Sequence, residues 1–454
     1  MLNKMSKFFV NLVQKYLPDA YLFAIVLTFI AYLLALLLTG KGPLDLIGMW
    51  GDGIWGILTF AMQMILILVT GHSLASSPPI KKILSSVASI PKTGAGAAFL
   101  VVLIAGMANF VSWGFGLVVA ALLARELGKK VKGSDYPLLV AGGYAGFVVW
   151  HGGISGSIPL AVATKGHLVE KLTGIIPMSR TVFSAENLVI TWFLILTMPV
   201  LFYLIAKSKK KEDVISLDLD LVAAEEAKAQ LAATAEPHLA STGPTFASRL
   251  ENSIIINMLF ALGGVIYLVR HFAMKGFDLN LNIVIFIFFI LGVILHLRPI
   301  NYVRAINEAI KGAGGIALQF PLYGGIQGIM VTSGLAAIIA NGFVSFSNEI
   351  TFPLFTFLAG GIINIFVPSG GGQWIVQGPI NIPVALKLGV DPATVAMSIA
   401  YGDQWTNMIQ PFWALPLLAI AKLNVRDIMG YCVMALIWAG IVFSGGLLIF
   451  RLIG

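Results

Sequence analysis

The chain has 454 residues, of which 58% are hydrophobic and only 11% charged, and its formal net charge is +8. Several apolar runs of about 18 residues or more exclude a soluble globular domain and predict a polytopic membrane protein. The positive charge does not indicate nucleic-acid binding, because the basic residues lie at the ends of the apolar runs, as membrane orientation requires. The single cysteine, Cys432, excludes an intrachain disulfide and a cysteine-based metal site.

The N-terminal segment, residues 1–19, carries Lys4, Lys7 and Lys15 beside an apolar helical stripe. This pattern predicts a helix that lies in the membrane interface. The apolar run that follows is too long for the core of a signal peptide and is interpreted as the first span. The same reading along the chain predicts about nine full spans, at residues 20–39, 54–72, 137–164, 187–206, 253–269, 281–297, 312–331, 393–421 and 428–449.

Two further apolar segments are interpreted as re-entrant hairpins. Residues 94–127 form two short arms around the sequence N-F-V-S-W-G-F-G, which begins at Asn109. The first arm has about 15 residues, or roughly 22 Å of helix, against a hydrocarbon core of about 30 Å. Residues 352–386 are interrupted by N-I-F-V-P-S-G-G-G-Q, where Pro368 and three consecutive glycines disfavour a continuous helix. A helix end is therefore expected at each tip.

Two of the predicted spans are also interrupted. The first contains W-H-G-G-I-S-G-S at residues 150–157, and the second contains Y-G-D-Q-W-T-N at residues 401–407. Irregular backbone at membrane depth is tolerated only where it is buried in protein or lines a water-filled cavity. The two interruptions therefore predict a functional cavity.

The acidic, alanine-rich segment 207–251 is interpreted as a cytoplasmic linker between two membrane halves, residues 20–206 and 252–454. In each half a predicted hairpin precedes a broken span, and the same interval separates Tyr144 from Tyr401 and Pro159 from Pro416. This order indicates a weak internal repeat.

The distribution of basic residues orients the repeat. If the lysine cluster at residues 207–211 is cytoplasmic, most of the 29 Lys and Arg residues share that side, and so does the N-terminus. The two hairpins then enter from opposite faces. The predicted fold is an all-α polytopic membrane protein with two inverted-topology repeats, each with a re-entrant hairpin and a broken transmembrane helix, as in secondary transporters with a midplane site.

The hairpin tips and the helix breaks are expected to converge on one site. Free backbone N–H groups with hydroxyl and amide side chains suit a small monoanion such as a carboxylate. Trp113, Trp150, Trp374 and Trp405 are predicted to form an apolar wall for a short acyl chain. The predicted substrate-binding residues are Asn109, Ser112, Trp113, His151, Ser155, Asn364, Ser369, Gly370, Gly371, Gln373, Thr406 and Asn407.

Asp403 is the only acidic residue in these motifs, and a carboxylate at mid-membrane is costly enough to be a functional candidate. A structural partner that holds unwound backbone is the alternative for Asp403, and a neutral imidazole bonded to backbone is the alternative for His151. Asp403, Asn109 and Asn364 are predicted to hold the coupling ion, either Na⁺ or a proton carried by Asp403. Sodium is the only metal predicted, and no cofactor is expected.

Four motifs together resemble the bacterial short-chain fatty acid transporter family over nearly the whole chain: N-F-V-S-W-G-F-G, V-V-W-H-G-G-I-S-G-S-I-P-L, P-S-G-G-G-Q-W-x-V-Q-G-P and Y-G-D-Q-W-T-N-M-I-Q-P-F-W. The resemblance implies a carrier of short monocarboxylates, such as acetoacetate or butyrate, in the bacterial cytoplasmic (inner) membrane. By wider analogy, the chain is similar to ion-coupled transporters with paired hairpins, which implies a homodimer and an elevator motion.

Two other function classes stay open at this point. A passive monocarboxylate channel is one, because inverted repeats also build channels. A membrane-embedded enzyme is the other, but the sequence has no nucleophile elbow or clustered metal ligands, and its G-G-G tract lacks the Lys and Ser/Thr of a phosphate loop. Accumulation of substrate against its gradient would separate a transporter from both.

The charge distribution yields a prediction for topology. In a Cys432→Ser background, Lys130→Cys is expected to react with a membrane-impermeant thiol reagent only from the cytoplasmic side, and Lys387→Cys only from the outside. Labelling of right-side-out and inside-out vesicles measures the two sides separately. Reaction of both cysteines from one side would rule out the inverted arrangement.

Overall fold

The structure is a computed structural model that describes residues 2–167, 169–220, 222–224, 227, 245–276 and 280–453. Within these residues the regular structure is helical and contains no strand. Seven helical segments are long and apolar enough to cross a membrane, or eight if a pair of helices bent by 59° counts as one span. The all-helical polytopic class predicted from composition is thereby confirmed.

The first half of the chain contains eleven α-helices. They are α1 (Leu2–Tyr16), α2 (Ala20–Leu38), α3 (Pro43–Gly56), α4 (Leu58–Ser76), α5 (Pro78–Ala88), α6 (Gly94–Val111), α7 (Trp113–Lys130), α8 (Tyr136–Ala145), α9 (Ser157–Val162), α10 (Glu170–Thr173) and α11 (Ala185–Ser208), with 3₁₀ turns at Gly146–Gly152 and Met178–Arg180.

The described residues of the second half add eleven more. They are α12 (Phe246–Glu251), α13 (Ile254–Lys275), α14 (Leu281–His296), α15 (Pro299–Ala309), α16 (Gly314–Thr332), α17 (Leu335–Val344), α18 (Phe352–Phe366), α19 (Gly370–Leu388), α20 (Pro392–Thr406), α21 (Ala414–Ala421) and α22 (Val425–Ile453), and a 3₁₀ turn lies at Ile310–Gly312.

Two of the predicted spans are not among the candidate spans, and a third, residues 312–331, qualifies only as part of the bent pair α16 and α17. Residues 281–297 fold as α14, which has 16 residues and is shorter than a typical crossing. Residues 393–421 are divided between α20 and α21. By contrast, the first arm of the predicted N-terminal hairpin, α6, is by itself long enough to be a candidate span.

The arms of that hairpin are longer than the sequence predicted. Helices α6 and α7 have 18 residues each, or about 27 Å of helix, so the expectation of arms of about 15 and 11 residues is wrong. The reason is that Asn109, Phe110 and Val111 continue α6, and only Ser112 leaves the helical conformation, with φ −155°. The two helices pack against each other.

The three glycines of the second tip do not lie in the break. Helix α18 ends at Phe366 and α19 begins at Gly370, so residues 367–369 alone are non-helical. Ser369 caps α19, because its side chain accepts a hydrogen bond from the Gly372 N–H. The entropic cost of glycine applies to the interior of a helix, so glycine is tolerated better in the first turn.

The two helix breaks are also displaced from the predicted positions. The first half continues from α8 through the 3₁₀ turn to Gly152, so its break covers residues 153–156. In the second half, residues 401–406 are helical and the break covers residues 407–413 instead. Pro411 explains this shift, because it lacks the N–H that a continued helix would need.

Part of the predicted linker, residues 207–251, lies outside the described residues. The first residues of the linker are described, and they pack against the helices. Lys209 forms a buried ion pair with Asp135, at the start of α8, and its ammonium lies 2.7 Å from the Tyr431 hydroxyl of α22. Asp213 forms a second ion pair, with Lys7 of α1, at 2.7 Å.

Candidate functional site

The buried ionisable pair of the site is formed by the two broken helices. His151, in the 3₁₀ turn of the first half, places Nε2 3.1 Å from Oδ1 of Asp403 in α20, and both side chains are fully buried. The backbone N–H of His151 donates to Gln404 Oε1 at 2.7 Å. Two adjacent residues of α20 therefore hold one residue of the opposite half.

The beginning of α19 closes on the same pair. A Cβ atom placed on Gly370 would lie 2.5 Å from Nε2 and Cε1 of His151 and 3.3 Å from Cβ of Ser157. Only glycine permits this approach, so the N-terminal end of α19 lies directly against the imidazole. Gly371 differs, because a Cβ atom there would meet nothing within 4 Å. Packing therefore requires glycine at Gly370, where the near atoms belong to His151, and not at Gly371.

Asn364, the last polar residue of α18, ties the second hairpin to the end of α20. Its amide nitrogen donates to Thr406 Oγ1 at 3.0 Å and to Asn407 Oδ1 at 2.8 Å. The Thr406 hydroxyl in turn donates to the Gly361 carbonyl at 2.8 Å. These contacts bring three predicted site residues together and leave Asn364 Oδ1 without a partner among the described residues.

Gln373 lies one turn into α19 and is fully buried. Its amide nitrogen donates to the Gly360 carbonyl of α18 at 2.7 Å and to Gln377 Oε1 at 2.9 Å. The same face of α18 lies against α20, since a Cβ atom on Gly360 would be 3.3 Å from the Cα of Gly402. Gln373 therefore fixes the two arms of the second hairpin beside the residue that precedes Asp403.

In the first half, the junction of α6 and α7 contacts the helix break. The Trp113 N–H donates to Ser155 Oγ at 3.0 Å, and the Ile154 N–H donates to the Phe110 carbonyl at 2.7 Å. Ser112 is buried between the two helices and caps α7 through its backbone. This group is joined to the ionisable pair through Trp150, whose ring lies 6.0 Å from that of Trp113 and 3.6 Å from that of His151.

Asn109 is held within its own hairpin. Its amide nitrogen donates to the Ala105 carbonyl at 2.8 Å, and Gly116 of α7 packs directly against its side chain. Its Oδ1 atom is buried and has no partner among the described residues. Asn364 and Asp403 belong instead to the network of the second half, so the three predicted ion ligands divide into two groups.

The site concentrates buried polar atoms that lack a protein partner within the described residues. A buried donor or acceptor left unsatisfied costs about 1–3 kcal/mol, so such a concentration indicates a place where a polar ligand, an ion or water completes the bonding. The orphaned oxygens are those expected for a hard cation, and the orphaned N–H groups suit an anion. The atoms are Asn109 Oδ1, Trp150 Nε1, His151 Nδ1, Asn364 Oδ1, Gln373 Oε1, Gln377 Nε2, Asp403 Oδ2, Gln404 Nε2, Asn407 Nδ2 and Trp413 Nε1.

A metal cluster of the usual protein type is not part of this arrangement. Among the described residues, no group of three or more His, Cys, Asp or Glu side chains could hold a metal ion. A sodium ion would instead use neutral oxygens with one carboxylate. Asn364 Oδ1, Gln373 Oε1 and Asp403 Oδ2 fit that chemistry, since all three are buried and unpaired.

The structure divides the predicted tryptophan wall. Trp113 and Trp150 lie beside the site, whereas Trp405 donates to the Leu436 carbonyl at 2.8 Å and packs on Phe357, away from the other rings. Trp374 packs against Gly378 of its own helix.

Sequence reasoning missed Trp413, whose ring lies 5.0 Å from Trp113 and 5.6 Å from Trp150. The available signal was the P-F-W sequence, which begins four residues after the second predicted interruption ends at Asn407.

Asn187, at the start of α11, is a second residue that the sequence reasoning missed. Its amide nitrogen donates to the Gly152 carbonyl at 2.9 Å, and its Oδ1 accepts a hydrogen bond from the Tyr401 hydroxyl at 2.8 Å. The residue thus connects the break of the first half to α20. A buried asparagine at the start of an otherwise apolar span was the only signal for it.

Comparison with solved structures gives weak likenesses over most of the chain. The YdaH transporter of Alcanivorax borkumensis is 15% identical, with a TM-score of 0.41 and coverage of 96% of this chain and 98% of that chain. MtrF of Neisseria gonorrhoeae is 15% identical, with a TM-score of 0.36 and coverage of 97% of both chains. At these scores neither structure establishes a shared fold.

Comparison with the sequences of known proteins identifies the family. A relative from Escherichia coli (strain K12) is 46% identical over 451 residues, which are 99% of this chain and 100% of the relative. One from Haemophilus influenzae is 44% identical over 454 residues, covering 98% and 99%. Both are assigned by name to the short-chain fatty acid transporters. A family model with the description "Short chain fatty acid transporter" matches residues 1–450, and the chain therefore belongs to that family.

Proposed function

We propose that the protein is a secondary active transporter that moves short-chain monocarboxylates, such as acetoacetate or butyrate, across the bacterial cytoplasmic membrane. Family membership and the names of the two relatives support transport of short-chain fatty acids. The observation that carries the proposal is the buried His151–Asp403 pair, formed between two broken helices and covered by the N-terminal end of α19. An ionisable pair inside a membrane protein is costly to bury and is by default a sign of a functional site.

The carboxylate of the substrate would bind at the beginning of α19. Ser369 occupies the Gly372 N–H, but the N–H groups of Gly370 and Gly371 have no intrahelical partner, and the dipole of this 19-residue helix favours an anion there. His151 lies against the same helix end at Gly370. Ser369, Gly371 and Asn407 would complete the polar side of the site, and Trp113 and Trp150 would face the acyl chain.

A coupling cation would compensate the charge of the substrate. Moving an uncompensated anion into a low-dielectric site is very costly, so a monoanion is expected to travel with Na⁺ or H⁺. Asp403 is positioned for either role, because Oδ1 contacts His151 while Oδ2 is buried and unpaired. Asn364 Oδ1 is a second ligand for Na⁺ in the same half, and Asn109 Oδ1 offers one in the other half.

Alternating access of the elevator type, in a homodimer with two inverted repeats, is the mechanism that we propose. Its support is that each half contains a pair of apolar helices joined at a short break, α6–α7 and α18–α19. Each pair is followed by a helix that breaks and resumes, α8 to α9 and α20 to α21. Such broken helices at a midplane site are typical of secondary transporters with repeats.

Uptake by purified protein in liposomes tests the function. With an inward Na⁺ or H⁺ gradient, radiolabelled acetoacetate or butyrate is expected to accumulate above its external concentration and to be released when the gradient is collapsed. Equilibration without accumulation would identify a passive channel instead. Recovery of a chemically altered acid, measured by chromatography of the same samples, would identify an enzyme.

The role of Asp403 is tested in the same liposomes. Asp403→Asn keeps the shape of the side chain and removes its charge, so gradient-driven accumulation is expected to be lost while some substrate-for-substrate exchange persists. Asp391→Asn, at the N-cap of the same helix, is the matched control, because Asn caps as well as Asp and the ion pair that is lost, with Arg180, is exposed and contributes little. Unchanged accumulation and ion dependence in Asp403→Asn would make Asp403 a structural partner of His151.

The glycines of the second tip provide a steric test. Gly370→Ala would place a methyl group 2.5 Å from His151, whereas Gly371→Ala would place one in open space. Overpacking of this kind costs about 1–3 kcal/mol, so substrate affinity is expected to fall roughly 5- to 150-fold in Gly370→Ala and much less in Gly371→Ala. Binding measured by calorimetry checks the difference, and size-exclusion chromatography in detergent checks folding. Equal losses in both variants would contradict a close approach of Gly370 to the ligand site.

A further inference from the structure

A cavity lies apart from the polar site. It has a volume of about 340 Å³ and lies between the start of α2, the first turns of α16, α21 and the segment that joins α21 to α22. Polar residues from three of these segments line it, including Asp19, Gln319 and Asn424. Gln319 is 93% buried, and its Oε1 atom has no partner among the described residues. The size is within the range of ligand-binding cavities.

A stacked pair of aromatic rings lies about one helical turn beyond the lining residues of the cavity. Ile316 and Leu415 line the cavity from facing helices, and Phe320 and Phe412 lie about one turn further along the same two chain segments. The rings of Phe320 and Phe412 are stacked, with centroids 4.0 Å apart and planes inclined by 13°. Both side chains are buried, so the pair separates the cavity from the interior behind it.

Behind the stacked pair, the aromatic contacts continue to the ionisable pair of the site. The ring of Phe412 lies 5.3 Å from that of Trp413, which lies 5.6 Å from that of Trp150. Trp150 contacts His151, with ring centroids 3.6 Å apart. Contacting rings of Phe412, Trp413 and Trp150 therefore connect the neighbourhood of the cavity to the His151–Asp403 pair.

One ring of the pair belongs to a continuous helix and the other to a helix break. Phe320 lies inside the continuous helix α16, where it also packs near Phe60 of α4. Phe412 lies in the break at residues 407–413, and its N–H is bonded to the Gln410 side chain rather than to a helical carbonyl. Movement of the break would therefore displace Phe412 without unwinding either neighbouring helix.

We propose that the cavity is a vestibule through which the short carboxylate enters or leaves the site, and that the Phe320–Phe412 pair is the gate between them. This inference rests on the proposed transport function and adds the route and the barrier. A hydrated carboxylate cannot pass two stacked apolar rings, so the gate is closed in this structure. The route opens when Phe412 separates from Phe320.

Cysteine accessibility tests the gate in the full chain with the Cys432→Ser background. Gln319→Cys reports on the vestibule, and Ser155→Cys, in the break at residues 153–156, reports on the far side of the gate. A membrane-impermeant methanethiosulfonate is applied to right-side-out and inside-out vesicles. Gln319→Cys is expected to react from one side only, and Ser155→Cys to react poorly from that side.

Removal of one ring should open the route. An aromatic pair contributes about 0.5–1.5 kcal/mol, so Phe412→Ala is expected to accelerate labelling of Ser155→Cys up to about tenfold, from the side on which Gln319→Cys reacts. Phe320→Ala removes the same contact from the other segment and should give the same result if Phe412→Ala folds poorly. Phe443→Ala, which removes a buried ring stacked on Tyr401 at 4.9 Å, is the control for general loosening.

The labelling result does not depend on transport activity. The gate can therefore be refuted while uptake is confirmed, and uptake can be refuted while the gate is confirmed. The gate is refuted if both alanine variants leave the labelling rate of Ser155→Cys unchanged, or if Phe443→Ala raises it equally. Reaction of Gln319→Cys from both sides would refute the vestibule.

Discussion

The contact between His151 and Asp403 is the interaction on which the rest of the site depends. Neither residue can be buried alone in a membrane protein, because an unpaired ionisable group in a low-dielectric interior is very costly. Each comes from a segment at or near a helix break, and the two are separated by 252 positions in the chain. The requirement to pair them fixes how the two halves of the protein must meet.

The His151–Asp403 contact requires the backbone segments around it to lie very close together. A Cβ atom on Gly153 would lie 2.3 Å from the Phe110 carbonyl oxygen, and one on Gly402 would lie 2.3 Å from the Phe357 carbonyl oxygen. These glycines let the first hairpin reach the first break and let α18 lie against α20. With Gly370 against His151, small residues bring the breaks and the tip of α19 within hydrogen-bonding distance of one another, which is the usual role of small residues in membrane helix packing.

The sequence predicts the helices and some of the site residues better than it predicts which side chains contact one another. Apolar length predicts most of the helices, and the cost of a mid-membrane carboxylate singles out Asp403. The sequence alone cannot predict that Asp403 pairs with His151, because that contact depends on tertiary packing. For the same reason it cannot predict that Trp113 packs with Trp413 and not with Trp374 or Trp405. The predicted position of the second break is wrong for a local reason. Gly402 disfavours a helix only weakly, whereas Pro411 lacks the N–H that a helix needs, so the chain breaks near Pro411 instead.

The distribution of polar and aromatic groups has a consequence for the shape of the substrate. Unpaired amide and carboxylate atoms gather around α19 and α20, while apolar rings extend from His151 towards the vestibule. A molecule that satisfies both sides has one charged end and a short apolar body. A longer acyl chain would have to displace Trp413 and the stacked rings behind it, whereas a dianion would leave a second charge beside apolar rings without a partner. Under the proposed function, this arrangement would therefore favour small monocarboxylates over both longer acids and dianions.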